Sequence, residues 1–488
     1  MKPTRGSALA VVLISLAILS TVVGTVLFAV TNRFHTLHQS SAWQEALTAS
    51  EAGVHQAMAQ LENALKQNAI PTGTQEFTLE LPHGGESSGL AVAQYKMTRN
   101  DVTSGSRKLP YFSIISTGVV GLPGSRSLSM DQRDVVLRKL NLGGENRSAS
   151  RTIEVWAKPI YNTSTAIMVD KLLTLNNHKI YVDSFDSDDP NRSLSGQPGA
   201  TIGQFNVAPY NILAAHIATN SQFIGAGDAT VFGDAMTNGG TVGRSSGILG
   251  EIRDDFYRPL APVHPPDWAG TVTPGIVTSK GVLTTKVTSS ATLRGGTEAA
   301  PARYVVDGIN LTGSSDVLTF DFGLKGSSGV VDPTRNHAEI YVRGDISTKG
   351  GSTESGTVVI SKGMAVKIFF LGSVNFSGNG IANDNGVASN LSLYGVNAPT
   401  PTPNQTITLA GSPRFFGTVY APGADLRLAG GGSDGTFVGS LVAKSASLSG
   451  RVNIRYDEAL GGTGLITRFE LATWFEDTKK HGAFPGTL

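Results

Sequence analysis

Between Arg5 and Arg33 the chain carries no charged side chain, and the run Gly6–Asn32 (GSALAVVLISLAILSTVVGTVLFAVTN) is almost wholly apolar. About 20 apolar residues cross a bilayer core of ~30 Å as a helix. A single membrane-spanning helix is therefore expected, closing its own backbone hydrogen bonds and leaving its side chains to lipid. A secretory signal has an apolar region of only roughly 7–15 residues before a small-residue cleavage site, and this run is too long for that. Lys2, Arg5 and the terminal amine precede the span and Arg33 follows it. The excess of positive charge at the front puts the N-terminus in the cytoplasm and the remainder outside it.

After the span, Trp43, Leu47, Ser50, Val54, Met58, Leu61 and Leu65 recur at helical steps, with Gln44, Glu45, Gln56, Gln60 and Glu62 between them. Such a stripe predicts that the helix continues out of the membrane with one face covered. Nothing breaks the pattern strongly before Asn68, Pro71 and Gly73. A helix over 7–67 would be about 90 Å long at 1.5 Å per residue.

Here the order of segments resembles a family. A basic leader ending in Arg5-Gly6, the span RGSALAVVLISLAILS and the following AWQEALTASEAGVHQAMAQLE are together similar to the N-terminus of PilX-type minor components of type IV pili. The resemblance covers roughly the first 67 residues. It implies that a prepilin peptidase cuts between Gly6 and Ser7, that residues 1–6 are the leader, and that other pilin-like subunits are partners. Val11 stands where major pilins carry a Glu, and Ser7 where they commonly carry a Phe; PilX-like proteins often lack that Glu.

Beyond the helix the period falls to two. Leu90–Thr98, Tyr111–Val120 and Arg151–Pro159 are rich in β-branched and aromatic residues, which predicts strands. An antiparallel sheet over 74–160, packed on the helix, is the expectation, and it agrees with the pilin-like resemblance. Gly121–Ser150, rich in Arg, Ser and Gly, reads as a solvated hairpin or loop. From 161 to 460 short apolar pieces alternate with Gly, Asn, Ser and Asp, helped by 58 Gly in 488 residues. That predicts a head built as a parallel β-helix of irregular rung length, in which those residues take the corners; a β-sandwich is the competing reading. Val419, Leu426 and Leu441 are candidate inward positions, and residues 461–488 read as a C-terminal tail. Within the head, FFGTVYAPGADLRLAGGGSDGTFVGSLVAKSASLSGRVNIRYDEAL (Phe415–Leu460) and VDSFDSDDP (Val182–Pro190) resemble an uncharacterised β-helix-like domain of bacterial surface proteins. The expected fold class is thus mainly β with a long N-terminal helix.

Candidate chemistry is sparse. The chain has no Cys, so disulfides, thiolate metal sites and a Cys nucleophile are excluded. A net charge of +1 without clustered Lys or Arg gives no reason to expect nucleic acid. Asp183, Asp186, Asp188 and Asp189 lack the Gly and Glu that an EF-hand needs at its sixth and twelfth positions; they read as turn residues, as do Asp384 and Asp425. His35 and His38 lack a third ligand on their helix. His264 lies in LAPVHPPDW, a passage that reads as a connector between subdomains or a cap on the head. No phosphate loop or zincin motif is present. No catalytic, cofactor-binding or metal residue is assigned, and no cofactor is expected. A non-catalytic, membrane-anchored pilin-like protein is the resulting expectation. It would sit in a bacterial inner membrane, possess an extracytoplasmic head for assembly or adhesion, and take a surface or glycan ligand. The alternative is an exported polysaccharide-active enzyme, whose carboxylates would come from Asp307, Asp316, Asp345 and Asp425.

Overall fold

The computed structural model describes residues 6–66, 70–81, 91–104, 107–121, 148–176, 180–187 and 213–476, less 314, 327–328, 351–355, 379, 384–386, 398–404, 412–413, 431–434, 463 and 465. It is mainly β, with one long N-terminal helix and both antiparallel and parallel strand pairing. Two compact units divide the chain: residues 1–104, 108–159 and 468–488 form one, and residues 105–107 and 160–467 the other.

In the first unit, helix α1 runs from Gly6 to Lys66 without a break. Its covered face is not the stripe of large residues read from the sequence. Ser50, Val54 and Leu61 are buried as expected, but Ala42, Ala46, Ala49, Gly53 and Ala57 complete the face, while Trp43 is 55% exposed. The reason lies in the sheet. Strands β1 (Thr74–Leu81), β2 (Ala91–Ser104), β3 (Arg107–Gly121) and β4 (Ser148–Tyr161) form a sheet in that order, with β1 antiparallel to β2 and β3 antiparallel to β4. The helix comes so close to β3 that a Cβ on Gly118 would overlap the Ala46 carbonyl oxygen and lie 2.7 Å from the Ser50 amide nitrogen. Only small side chains leave room for backbone to meet backbone in this way.

Part of residues 461–488, expected as a tail, is corrected. Ile466–Glu476 is a strand that joins this sheet next to β4. Phe469 packs edge-to-face on Phe112 at 5.2 Å, and Glu476 accepts an ion pair from Arg151 at 3.1 Å. Its exposed residues include Leu471 and Trp474, so alternation does not reveal which strand it joins; its place is set by the partner strand.

The second unit is built on parallel ladders that join residues far apart in sequence. One inward row reads Val287, Ile309, Ile346, Val374, Ile407, Leu426, Ala446, Leu173, Ile224 and Val242, each in register with the next. A second row reads Val305, Tyr341, Phe369, Tyr394, Tyr420, Val442, Met168, Ala218 and Met236. A third, on another side, includes Phe415, Phe437, Ile454, Val182 and Val231, with Phe415 and Phe437 stacked at 4.8 Å. Val419, Leu426 and Leu441 are each 1% exposed, so these inward positions are legible from alternation.

Chain order and stacking order differ. Strands from 286 to 457 follow one another in register, and then the strands Ile167–Val169 and Leu173–Leu175 dock on Gly435–Ser449. The chain therefore starts in the middle of the rows, proceeds to one end at Ile252–Arg253, and must travel back to the other end at Lys286. LAPVHPPDW belongs to that return, and it neither strings separate subdomains together nor caps an end. It lies along the second row: Tyr420 O–H donates to the Ala261 carbonyl at 2.7 Å, Asn397 N–H donates to the Val263 carbonyl at 2.8 Å, and Trp268 meets Phe369 edge-on at 6.5 Å. Val263 and Ala269 are buried with Tyr341, Tyr394 and Tyr420.

Candidate functional site

Two features stand out once the ladders are accounted for. The first is the front half of α1. Val11, Leu16, Leu19, Val23, Leu27 and Phe28 are 58–68% exposed, and this is the one helix among the described residues that is long and apolar enough to cross a membrane. Ser20, Thr21, Thr25 and Thr31 fold their hydroxyls back to carbonyls one turn earlier, for example Thr25 Oγ1–H to Thr21 O at 2.7 Å. Their polarity is thereby satisfied within the helix, which suits them to an apolar solvent. Gly6 and Ser7, the expected cleavage pair, are the first residues of the helix. His35 and His38 lie on it too, though their side chains fall outside the described residues.

The second feature is the junction where the strand Gly435–Ser449 and its successor Val452–Asp457 meet residues 160–187. Buried polar groups concentrate here. Ser440 Oγ–H donates to Thr165 O at 2.6 Å, Thr163 Oγ1–H to Leu460 O at 2.7 Å, and Tyr456 O–H to Thr163 O at 2.9 Å. Asp457, 2% exposed, accepts from Ser187 N–H at 3.0 Å, Ser187 O–H at 2.7 Å and Ala459 N–H at 3.2 Å. Burial raises its carboxyl above the usual range, opposed by those donors. Asp183 faces Arg455 across the parallel pair, and the two are 1% and 5% exposed. Burial lowers the Arg455 guanidinium and Asp183 opposes that shift. The turn reading of Asp183 is thus corrected: it lies inside the strand Ile180–Phe185, where a carboxylate is tolerated because Arg455 arrives from a segment about 270 residues on. Asp188, Asp189 and Asp384, and all of Gly121–Ser150 except its ends, lie outside the described residues.

The acidic residues considered for chemistry are dispersed over separate strands and loops. Asp345 accepts from Ser373 N–H at 2.7 Å. Asp425 accepts from Ser445 O–H at 2.6 Å, beside the irregularity between Ala421 and Asp425. Asp307 is 3.7 Å from Arg343, and Asp316 receives Gly356 N–H on its backbone carbonyl at 2.8 Å. Each bond ties one strand or loop to its neighbour. No group of three or more His, Asp or Glu able to hold a metal occurs among the described residues, and His264 is exposed.

His216 introduces a pH dependence that sequence reasoning missed. Its Nδ1 accepts the Asp234 backbone N–H at 3.1 Å when the ring is neutral and also stands 3.3 Å from the Asp234 carboxylate. Burial holds its pKa below the ordinary value; the Asp234 carboxylate opposes this, and Arg253 and Arg258 add to the lowering. A histidine whose folded pKa is depressed binds its proton more readily when unfolded. Its contribution to stability is complete above the unfolded pKa of about 6.5 and declines as pH falls through that value. The melting temperature of the chain relative to His216→Gln should therefore drop between about pH 7.5 and pH 5.5. A difference that stays flat over that interval would contradict the assignment.

A family model described as a domain of unknown function (DUF7305) matches residues 289–463. Those residues include Phe415–Leu460 and nearly the whole run of strands that stack in chain order. No curated protein and no solved structure matches the chain.

Proposed function

We propose that this is a membrane-anchored, pilin-like protein of a bacterial type IV pilus or a related assembly, similar to PilX-type minor components, and that its head is a non-catalytic parallel β-helix serving assembly or adhesion. The observation that carries the reading is the continuity of α1. A fully exposed apolar half passes without a break into a half whose small-residue face is covered by a sheet. A helix divided in this way suits a subunit that sits in the inner membrane by its front half and holds a folded domain outside by its rear half. The ladders support stacked coils for the head, because the same inward row recurs from strand to strand in parallel register. Its partners would be the inner membrane, a prepilin peptidase, other pilin-like subunits and a surface or glycan ligand.

The test is maturation together with topology. In a host with the peptidase, the mature chain should begin at Ser7, and replacing Gly6 by a bulky residue should leave the precursor uncut. A reporter fused after Leu488 should be active only outside the cytoplasm. A mature chain still starting at Met1, or a reporter active in the cytoplasm, would refute the reading.

A further inference from the structure

The far end of the rows is an open strand edge with a self-complementary pattern. The strand Ile252–Arg253 pairs in parallel with Ala235–Met236. Ala235 N–H donates to Glu251 O at 2.9 Å and Thr237 N–H to Arg253 O at 2.8 Å. In an extended chain the backbone groups of successive residues point to opposite edges, so those of Ile252 point outward, away from the stack. Among the described residues no strand ladder covers that edge. Ile252 and Leu249 are each 49% exposed there and Tyr257 is 58% exposed.

We infer that this edge pairs with the same edge of a second copy of the chain, in an antiparallel ladder whose two-fold axis passes through Ile252. Charge and backbone direction both favour this pairing. About that axis Ile252 meets its own twin, and its outward N–H and C=O exchange two bonds with the twin's. Glu251 of each copy then lies opposite Arg253 of the other. Opposite charges directly across an antiparallel pair stabilise it, and like charges would oppose it. Within one chain Arg253 reaches Asp255 at 3.2 Å, and Glu251, which is exposed, makes no ion pair among the described residues, so the second copy supplies the cation it lacks. An isologous contact of this kind closes after two copies and covers the Ile252 edge of both. Anchoring both chains in one membrane raises their effective concentration, so a short ladder suffices.

The chain has no Cys, which makes the test direct. A hydrogen-bonded antiparallel pair sets its Cα atoms about 5.5 Å apart, within disulfide reach. Full-length Ile252→Cys, reconstituted in vesicles and mildly oxidised, should form a disulfide-linked dimer roughly tenfold more than the exposed control Glu298→Cys. Adding Glu251→Arg or Arg253→Glu alone should bring the yield down to the control level, because each places like charges across the axis. Adding both together should restore it. Melting curves of each variant confirm that the head is folded. Equal cross-linking of Ile252→Cys and Glu298→Cys would overturn the proposal, and so would a double reversal that fails to recover the yield. Neither result depends on whether the leader is cleaved or on which side of the membrane the head resides, so failure here is distinct from failure of the proposed function.

Discussion

Replacing Arg455 by alanine is expected to cost the head about 3–5 kcal/mol, the usual range for removing one partner of a buried ion pair. The cause is the carboxylate left behind. Asp183 is 1% exposed and stands opposite Arg455 in register, so without the guanidinium a charge remains in a site that water does not reach. The expected counterpart is that Arg455→Met combined with Asp183→Leu recovers most of the loss, since well-packed apolar replacements of a buried pair are often neutral or stabilising. Calorimetry of the full chain in detergent, with hydrogen exchange read at Ile180–Phe185 and Val452–Asp457, would follow both. A loss under about 1 kcal/mol for the single variant, or a double variant no better than the single, would show that the pair does not hold this junction.

Gly118→Val is expected to be the most damaging change in the first unit. Overpacking a well-packed site costs typically 1–3 kcal/mol, sometimes more, and here the neighbours are the Ala46 carbonyl and the Ser50 amide of α1. Backbone cannot rotate aside as a side chain does, so the helix must lift from β3 and uncover Ala42, Ala46 and Ala49, each buried against the sheet. About 3 kcal/mol or more is therefore expected, with faster amide exchange along β3. Gly53→Ala should be milder, because the clash there involves the Ser116 hydroxyl, a side-chain atom. Gly73, with nothing within 4 Å of an added Cβ, is the control; Gly73→Ala should be close to silent. Gly118→Val melting with the parent would mean that the helix does not sit on β3 as described.

His216 and Arg455 share a feature. In both, a polar group is buried at a place where distant stretches of chain come together, and its partner lies on another element. A single sequence does not reveal such groups. His216 reads as one histidine in HIATN, and Asp183 as one of four acids in VDSFDSDDP. The nearest local signal is the pair Asp183-Ser184 inside IYVDSF, which points equally well to a turn.

The sequence by itself determined what depends on local pattern. The uncharged run between Arg5 and Arg33 dictated a helix suited to lipid, because charge in hydrocarbon is expensive and a helix closes its own hydrogen bonds. The fall from helical spacing to alternation located the start of the β region, and alternation alone identified Val419, Leu426 and Leu441 as inward. Tertiary structure decided everything that depends on which surfaces meet. It chose the small face of α1 over the larger stripe through Trp43, since close approach at Gly118 favours alanine over leucine. It drew Ile466–Glu476 into the first sheet, and laid LAPVHPPDW along an aromatic row. It also placed Ile167 beside Leu441. Periodicity reports which face of a strand is apolar, whereas the neighbour of each strand is fixed by long-range register between edges, and nothing in the spacing of residues along the chain encodes that choice.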